Sequence, residues 1–138
     1  MSAKFFVDTN ILVYAHDRDA GKKHHAAKNL VKMFWEQPTW PAVSVQVLQE
    51  LFVNLHRKGV SVIEAKATVQ DYAAWKVVEN TVELLETGID EMQRWQVSFW
   101  DSLILAAARH AGSSVVYSED MNHGQDYGGI LVENPFKD

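Results

Sequence analysis

Two acidic side chains of this sequence stand just after short apolar runs. Asp8 follows Lys4–Val7, and Asp120 closes Ser118-Glu119-Asp120 after Ser114–Tyr117. Two more lie within helix-like segments, Glu50 in Val45–Lys58 and Asp101 near the start of Ser98–His110. Each has an ordinary reading. Asp8 suits the N-cap of a helix beginning at Thr9. Ser98-Phe99-Trp100-Asp101 resembles a capping box with Asp in place of Glu or Gln. Asp120 suits a turn, and Glu50 suits a solvated face beside Gln46, Asn54 and Arg57. Asp101 asks for more. Trp100, Leu103, Ile104, Leu105, Ala106, Ala107, Ala108 and Ala111 cover nearly the whole circumference of its helix, the pattern of a buried one. A carboxylate there must be paired, hydrogen-bonded or metal-bound, because unpaired buried charge is costly. Its neighbours one turn away are Val97, Ser98, Ile104 and Leu105, none of them basic. The countercharge has to come from elsewhere in the fold or from a cation.

The elements that carry these acids alternate. Lys4–Val7, Ala42–Ser44, Lys76–Val78, Ser114–Tyr117 and Ile130–Val132 read as strands. Thr9–His16, Lys22–Gln37, Val45–Lys58, a segment capped by Ser61 and running to about Ala74, Thr81–Trp95 and Ser98–His110 read as helices. Gly59 and Gly112 mark helix stops. Alternation of this kind implies parallel strands joined by right-handed crossovers. The expected fold is α/β, with a four- or five-stranded parallel sheet between helices. Ligands of such sheets bind beyond the carboxyl ends of the strands, where Asp8 and Asp120 fall.

Composition narrows the chemistry. The 138 residues suit one domain spanning 1–138, and 47% hydrophobic with 22% charged residues is globular composition. There is no cysteine, which removes disulfides, thiol nucleophiles and cysteine-bound zinc or iron–sulfur centres. The charge at Asp8 comes too early for a signal-peptide core, and no apolar run approaches the roughly 20 residues of a membrane span. A cytoplasmic protein with no membrane partner is the expectation. A net charge of −5 argues against coating nucleic acid by bulk attraction. Acting on a polyanion would need a local basic patch, a metal ion, or both.

The order of motifs then carries a resemblance. A strand followed by Asp8-Thr9-Asn10-Ile11-Leu12, Glu50 on a helix, Phe99-Trp100-Asp101-Ser102-Leu103-Ile104-Leu105-Ala106-Ala107-Ala108, and Ser118-Glu119-Asp120 together resemble the PIN-domain nucleases. Within them the chain looks like the VapC-type toxins of prokaryotic toxin–antitoxin pairs. The run from Ser118 to Gln125, with Asn134-Pro135-Phe136, is similar to the endings of those toxins. The resemblance spans essentially the whole chain. It implies a PIN-like three-layer α/β/α fold in which Asp8, Glu50, Asp101 and Asp120 cluster as catalytic and metal-binding residues. They would hold Mg²⁺ or Mn²⁺, one ion or two, and cleave RNA to a 5′-phosphate and a 3′-hydroxyl. Asp8 and Asp101 match the principal ligands. Asp120 matches the most variable acid, with Glu119 as its adjacent alternative. Thr9, Asn10 and Ser118 match polar positions beside the cluster. The resemblance also implies a homodimer and a small antitoxin protein as partner. The chemistry is consistent: hard divalent cations prefer oxygen ligands, and clustered carboxylates without a cation take up protons.

Other features are less specific. Arg18, Lys22, Lys23, His24, His25 and Lys28 form one basic cluster, either RNA-phosphate contacts or a solvated helix start. His24-His25 lacks the spacing of a helical zinc pair, and His123 reads as a loop histidine with proton transfer as the sharper alternative. Five tryptophans suit core packing or a protein interface better than base stacking. A phosphatase of the haloacid-dehalogenase type needs a second Asp where Asn10 stands, and a receiver-like signalling domain needs an acidic pair and a late lysine that are missing. A PIN-like RNA-binding or RNA-processing module without a toxin role is the alternative.

Overall fold

Among residues 2–137, those described by this computed structural model, five short strands make one parallel sheet. They are β1 (Phe5–Val7), β2 (Ala42–Ser44), β3 (Lys76–Val78), β4 (Val115–Tyr117) and β5 (Leu131–Glu133). Their order is β3-β2-β1-β4-β5, and every pairing is parallel. Phe6, Val43, Val116 and Val132 at the strand centres are fully buried, as a sheet covered on both faces requires.

The helices are α1 (Thr9–His16), α2 (Lys22–Glu36), α3 (Val45–Arg57), α4 (Val62–Tyr72), α5 (Val82–Trp95) and α6 (Phe99–His110). The chain moves outward from β1 to β3 through α1 to α4, then returns across the sheet to β4 through α5 and α6. Right-handed crossovers in opposite directions place the two helix groups on opposite faces, giving the three-layer α/β/α fold. Helix α1 packs on both α2 and α3, and α3 on α4, while α5 packs on α6 and α6 on β2 and β4. Side chains of Ser44, Ser61, Thr81 and Ser98 cap α3, α4, α5 and α6, and Asp8 caps α1.

Two details differ from the sequence reading. The last strand runs Leu131–Glu133, one residue later than expected, because the Ile130 carbonyl is taken by Tyr127 N–H in a turn. Helix α6 is not covered all round. Its buried residues are Ser102 and Ile104 to Ala108, whereas Trp100 is 63% exposed. In a right-handed crossover the helix runs antiparallel to the strands, so the first turn of α6 stands at the open carboxyl edge of the sheet.

Candidate active site

The sheet reverses its direction of growth between β1 and β4, so the crevice of this fold opens at their carboxyl ends. Val7 pairs with Tyr117, which brings Asp8 and Ser118 side by side just beyond the strands. Asp8 is 6% exposed. One carboxylate oxygen accepts from Thr9 N–H at 2.7 Å, and the other accepts from the Ser118 hydroxyl at 2.8 Å. The same Ser118 oxygen accepts from Asp120 N–H at 3.2 Å, so one buried hydroxyl ties the ends of β1 and β4 together. The capping reading of Asp8 is thus correct, yet the cap uses one oxygen and leaves the charge uncompensated. Burial pushes its pKa up to about 6, against the two hydrogen bonds, and Asp120 and Glu50 raise it further.

Glu50 lies in the second turn of α3 and reaches the site across α1. Its carboxylate accepts from Thr9 Oγ1 at 2.8 Å. Thr9 therefore joins two acids, Asp8 through its backbone and Glu50 through its side chain. Asp101 is half-buried in the first turn of α6, where its N–H donates to the Ser98 hydroxyl at 3.1 Å. Burial raises its pKa; the Ser98 hydroxyl works against this and Asp120 adds to it. Asp120 thus acts electrostatically on both Asp8 and Asp101, and Glu50 on Asp8. Among the described residues, no Lys, Arg or His forms an ion pair with any of these four acids.

Glu119 belongs to a different environment. Its carboxylate receives Tyr14 O–H at 2.7 Å and Lys23 Nζ at 2.5 Å. Burial works to raise its pKa, but Lys23 and Tyr14 outweigh that and hold it below the ordinary range. Its N–H donates to Asn10 Oδ1 at 3.4 Å, and Phe136 packs edge-on against Tyr14. Of the two adjacent acids, Asp120 faces the other carboxylates and Glu119 is already neutralised. Asn10 Nδ2 is buried without a partner beside them.

The donor set suits a hard cation: four carboxylates, with the Thr9 and Ser118 hydroxyls behind them and neither sulfur nor imidazole. Among the described residues, no three acidic or imidazole groups stand close enough to share an ion as they lie. Glu50 is exposed and Asp101 half-buried, so both have room to turn inward. Asp8, fixed by two hydrogen bonds, does not.

A cleft of about 300 Å³ opens onto this edge, lined by Thr9, Asn10, Tyr14, Glu50, Asn54, Lys58 and Asp120 among others. The basic cluster read from sequence does not line it. Arg18, Lys22 and Lys28 are exposed elsewhere on the surface, Lys23 is engaged by Glu119, and His24 bonds the Tyr14 carbonyl. His123 Nδ1 accepts from Asn134 N–H at 3.0 Å, a tie to the chain end rather than to the acids. Lys58 was missed and Asn54 was read only as part of a solvated face, although Glu50, Asn54 and Lys58 recur at the four-residue spacing of one helix face.

The sequence matches the family model of the PIN domain over residues 5–125. The chain belongs to the PIN-domain family. A toxin–antitoxin complex from Klebsiella pneumoniae shares the fold with a TM-score of 0.68 at 20% identity, over 96% of this chain and 98% of that one. VapC20 from Mycobacterium tuberculosis, a toxin that cleaves the sarcin–ricin loop, shares it with a TM-score of 0.67 at 24% identity, over 84% and 89%. The DNA-bound VapBC of Salmonella typhimurium follows at 0.63 and 19% identity, over 96% and 98%. No curated protein matches by sequence. At these identities the likeness establishes the shared PIN fold. No helix among the described residues is long and apolar enough to cross a membrane.

Proposed function

We propose that this PIN-domain chain is a metal-dependent endoribonuclease and the toxin of a type II toxin–antitoxin pair, acting in the cytoplasm. The observation that carries the reading is Asp8. It is a buried carboxylate at the crevice of the sheet, with Asp120 and Glu50 acting on it and no ion-pair partner among the described residues. A fold does not maintain such a charge for stability, and perturbed acids in a cleft mark functional sites. The similarity in fold to VapC20 and to VapBC assemblies supports RNA as substrate and a small antitoxin as partner.

Asp8, Glu50, Asp101 and Asp120 would hold Mg²⁺ or Mn²⁺, which when bound offsets the acidic cleft, polarises a phosphodiester and activates water. Ser118 and the Thr9 N–H fix Asp8 for that task, and the Thr9 hydroxyl holds Glu50 beside it until that carboxylate turns inward to the ion. Hydrolysis adds water across the P–O3′ bond: the new P–O bond forms on the 5′-phosphate side, and the departing 3′-oxygen takes a proton to become a hydroxyl. No 2′-hydroxyl nucleophile is needed. Exposed apolar side chains on α5 (Val82, Leu85, Ile89 and Met92) and the apolar groove between α3 and α4 are faces of the kind that protein partners cover. They are consistent with a homodimer and an antitoxin.

The test compares the purified chain with Asp8→Asn and Asp101→Asn on structured RNA in Mg²⁺, Mn²⁺ or EDTA. Cleavage only by the unaltered chain, and only with metal, is expected. Equal cleavage by all three proteins, or cleavage in EDTA, removes the mechanism. Growth arrest on expression, relieved by Asp8→Asn, separates a toxin from an RNA-processing module of the same fold.

A further inference from the structure

The cleft lining carries both signs of charge: the carboxylates Glu50 and Asp120, and Lys58, the capping residue of α3. Along α3 the residues facing the cleft change from carboxylate (Glu50) to amide (Asn54) to ammonium (Lys58). The stripe covers about 12 Å at the helical rise. Asn54 uses one of its two amide hydrogens on the Glu50 carbonyl at 2.8 Å, which leaves the other. Lys58 Nζ lies 2.9 Å from Asp17 Oδ2, and its side chain is half-exposed. The other Asp17 oxygen accepts from Asp19 N–H at 3.0 Å, so Asp17 is fixed where it meets the lysine. A polyanion entering an acidic cleft needs a cation near the acids but not among them. Lys58 is the lysine that lines this cleft.

We propose that Lys58, with Asn54, is the subsite for a backbone phosphate flanking the bond to be cut, and that Asp17 occupies Lys58 until RNA displaces it. The proposal rests on the ribonuclease reading above. Exchange is favourable because the Lys58 side chain is 46% exposed, although that of Asp17 is only 15% exposed, so solvent and salt reach the pair from the lysine side and weaken it. A phosphate offers Lys58 a charge-assisted hydrogen bond and releases counterions from the RNA. Asp17 thereby sets the affinity: it lowers binding of RNA by competing for the same ammonium.

The experiment uses the full chain carrying Asp101→Asn, to prevent cleavage, with Mn²⁺ present. Fluorescence anisotropy follows a fluorescein-labelled, mixed-sequence single-stranded 20-mer RNA over a range of KCl. Lys58→Gln should weaken binding about three- to tenfold and flatten the slope of log affinity against log salt by about 0.7, the value for one lost contact to a single strand. Lys58→Arg should keep both. Asp17→Asn retains an oxygen for the Asp19 cap and should tighten binding about two- to fivefold by freeing Lys58. Asp17→Asn combined with Lys58→Gln should match Lys58→Gln alone. Lys32→Gln, on the exposed face of α2, controls for net charge and should move the slope less. An unchanged slope in Lys58→Gln, or weaker binding in Asp17→Asn, overturns this subsite while leaving the nuclease reading intact. No binding by the parent at low salt removes both.

Discussion

Replacing Asp8 by Asn should stabilise the metal-free protein, and the gain should depend on pH. Asp8 has an ordinary pKa of 3.8 and is held at about 6 in the fold, chiefly by burial. A folded pKa above the unfolded one means that the native state binds the proton more tightly. That contribution is present below about pH 4 and is lost as pH rises through about 6. The difference between 3.8 and about 6 is worth about 3 kcal/mol. Asn keeps the shape without the charge. Its Oδ1 can accept from Thr9 N–H, and its Nδ2 can donate to the Ser118 oxygen, whose hydroxyl is free to turn. In EDTA at pH 8 the variant should therefore gain up to about 3 kcal/mol, a rise in Tm of about 10 °C for a chain of this size. At pH 4.5 the gain should shrink to about 1 kcal/mol, because the unfolded carboxyl is already mostly ionised there while the folded one is protonated. Thermal or urea unfolding across pH 4.5–8.5 measures it. Added Mg²⁺ or Mn²⁺ should raise the unaltered protein toward the variant and leave the variant nearly unmoved, because ligand binding to the folded state adds stability. A gain of equal size at every pH, or a loss at pH 8, would refute the argument that Asp8 stores uncompensated charge.

Two further outcomes follow from the same geometry. Glu119→Gln weakens the clasp to Lys23 and Tyr14 that steadies the loop carrying Asp120. It should raise the Mn²⁺ concentration for half-maximal cleavage by roughly tenfold, as loss of an outer support does elsewhere, while kcat at saturating metal changes little; a proportional loss at all metal concentrations would contradict a positioning role. Arg109→Met should destabilise the fold by about 3 kcal/mol in urea titration. The substitution strands the buried Glu91 carboxylate, which Arg109 grips at 2.8 and 2.9 Å, and frees the Tyr127 and Gly128 carbonyls; an unchanged midpoint would show the pair to be dispensable.

What the sequence disclosed follows from how local each signal is. The strands and helices were legible because burial on both faces leaves continuous apolar runs, and because Ser61, Thr81 and Ser98 cap within three residues of their targets. Asp8 was legible as a residue at a strand end, and parallel order then put it at the crevice. Sequence favours Asp120 over Glu119 only through the Ser-x-Asp pattern at the strand end; the physical reason is not local. It depends on Tyr14 and Lys23, which meet Glu119 only after α1 and α2 fold back over the end of β4. The lysine of the cleft was not legible for the same reason. The cluster from Arg18 to Lys28 is conspicuous in sequence, but Lys58 is the lysine that lines the cleft, carried there by α3 alongside Glu50. Exposure of Trp100 escaped the periodicity argument, since a helix pattern does not say where the helix overhangs its sheet.

A charge count at the carboxyl edge gives a physical reason for the donor set. Helices α1, α3 and α6 all begin at this edge, at Thr9, Val45 and Phe99. Each N-terminus contributes roughly half a positive charge that fades within a turn. Together they offset about one and a half of four carboxylates, and less for Glu50, which lies beyond the first turn of its helix. Protonation of Asp8 removes one more charge below about pH 6. At higher pH more than two negative charges remain, confined near a buried floor and unpaired with any lysine or arginine among the described residues. Monovalent counterions in solution screen this charge only diffusely, over a Debye length of about 8–10 Å. A divalent cation cancels most of it at one point, where the helix termini already favour anions such as a phosphate. The same imbalance that makes the metal-free site unstable at neutral pH is therefore what would draw the ion, and then the RNA backbone, to Asp8.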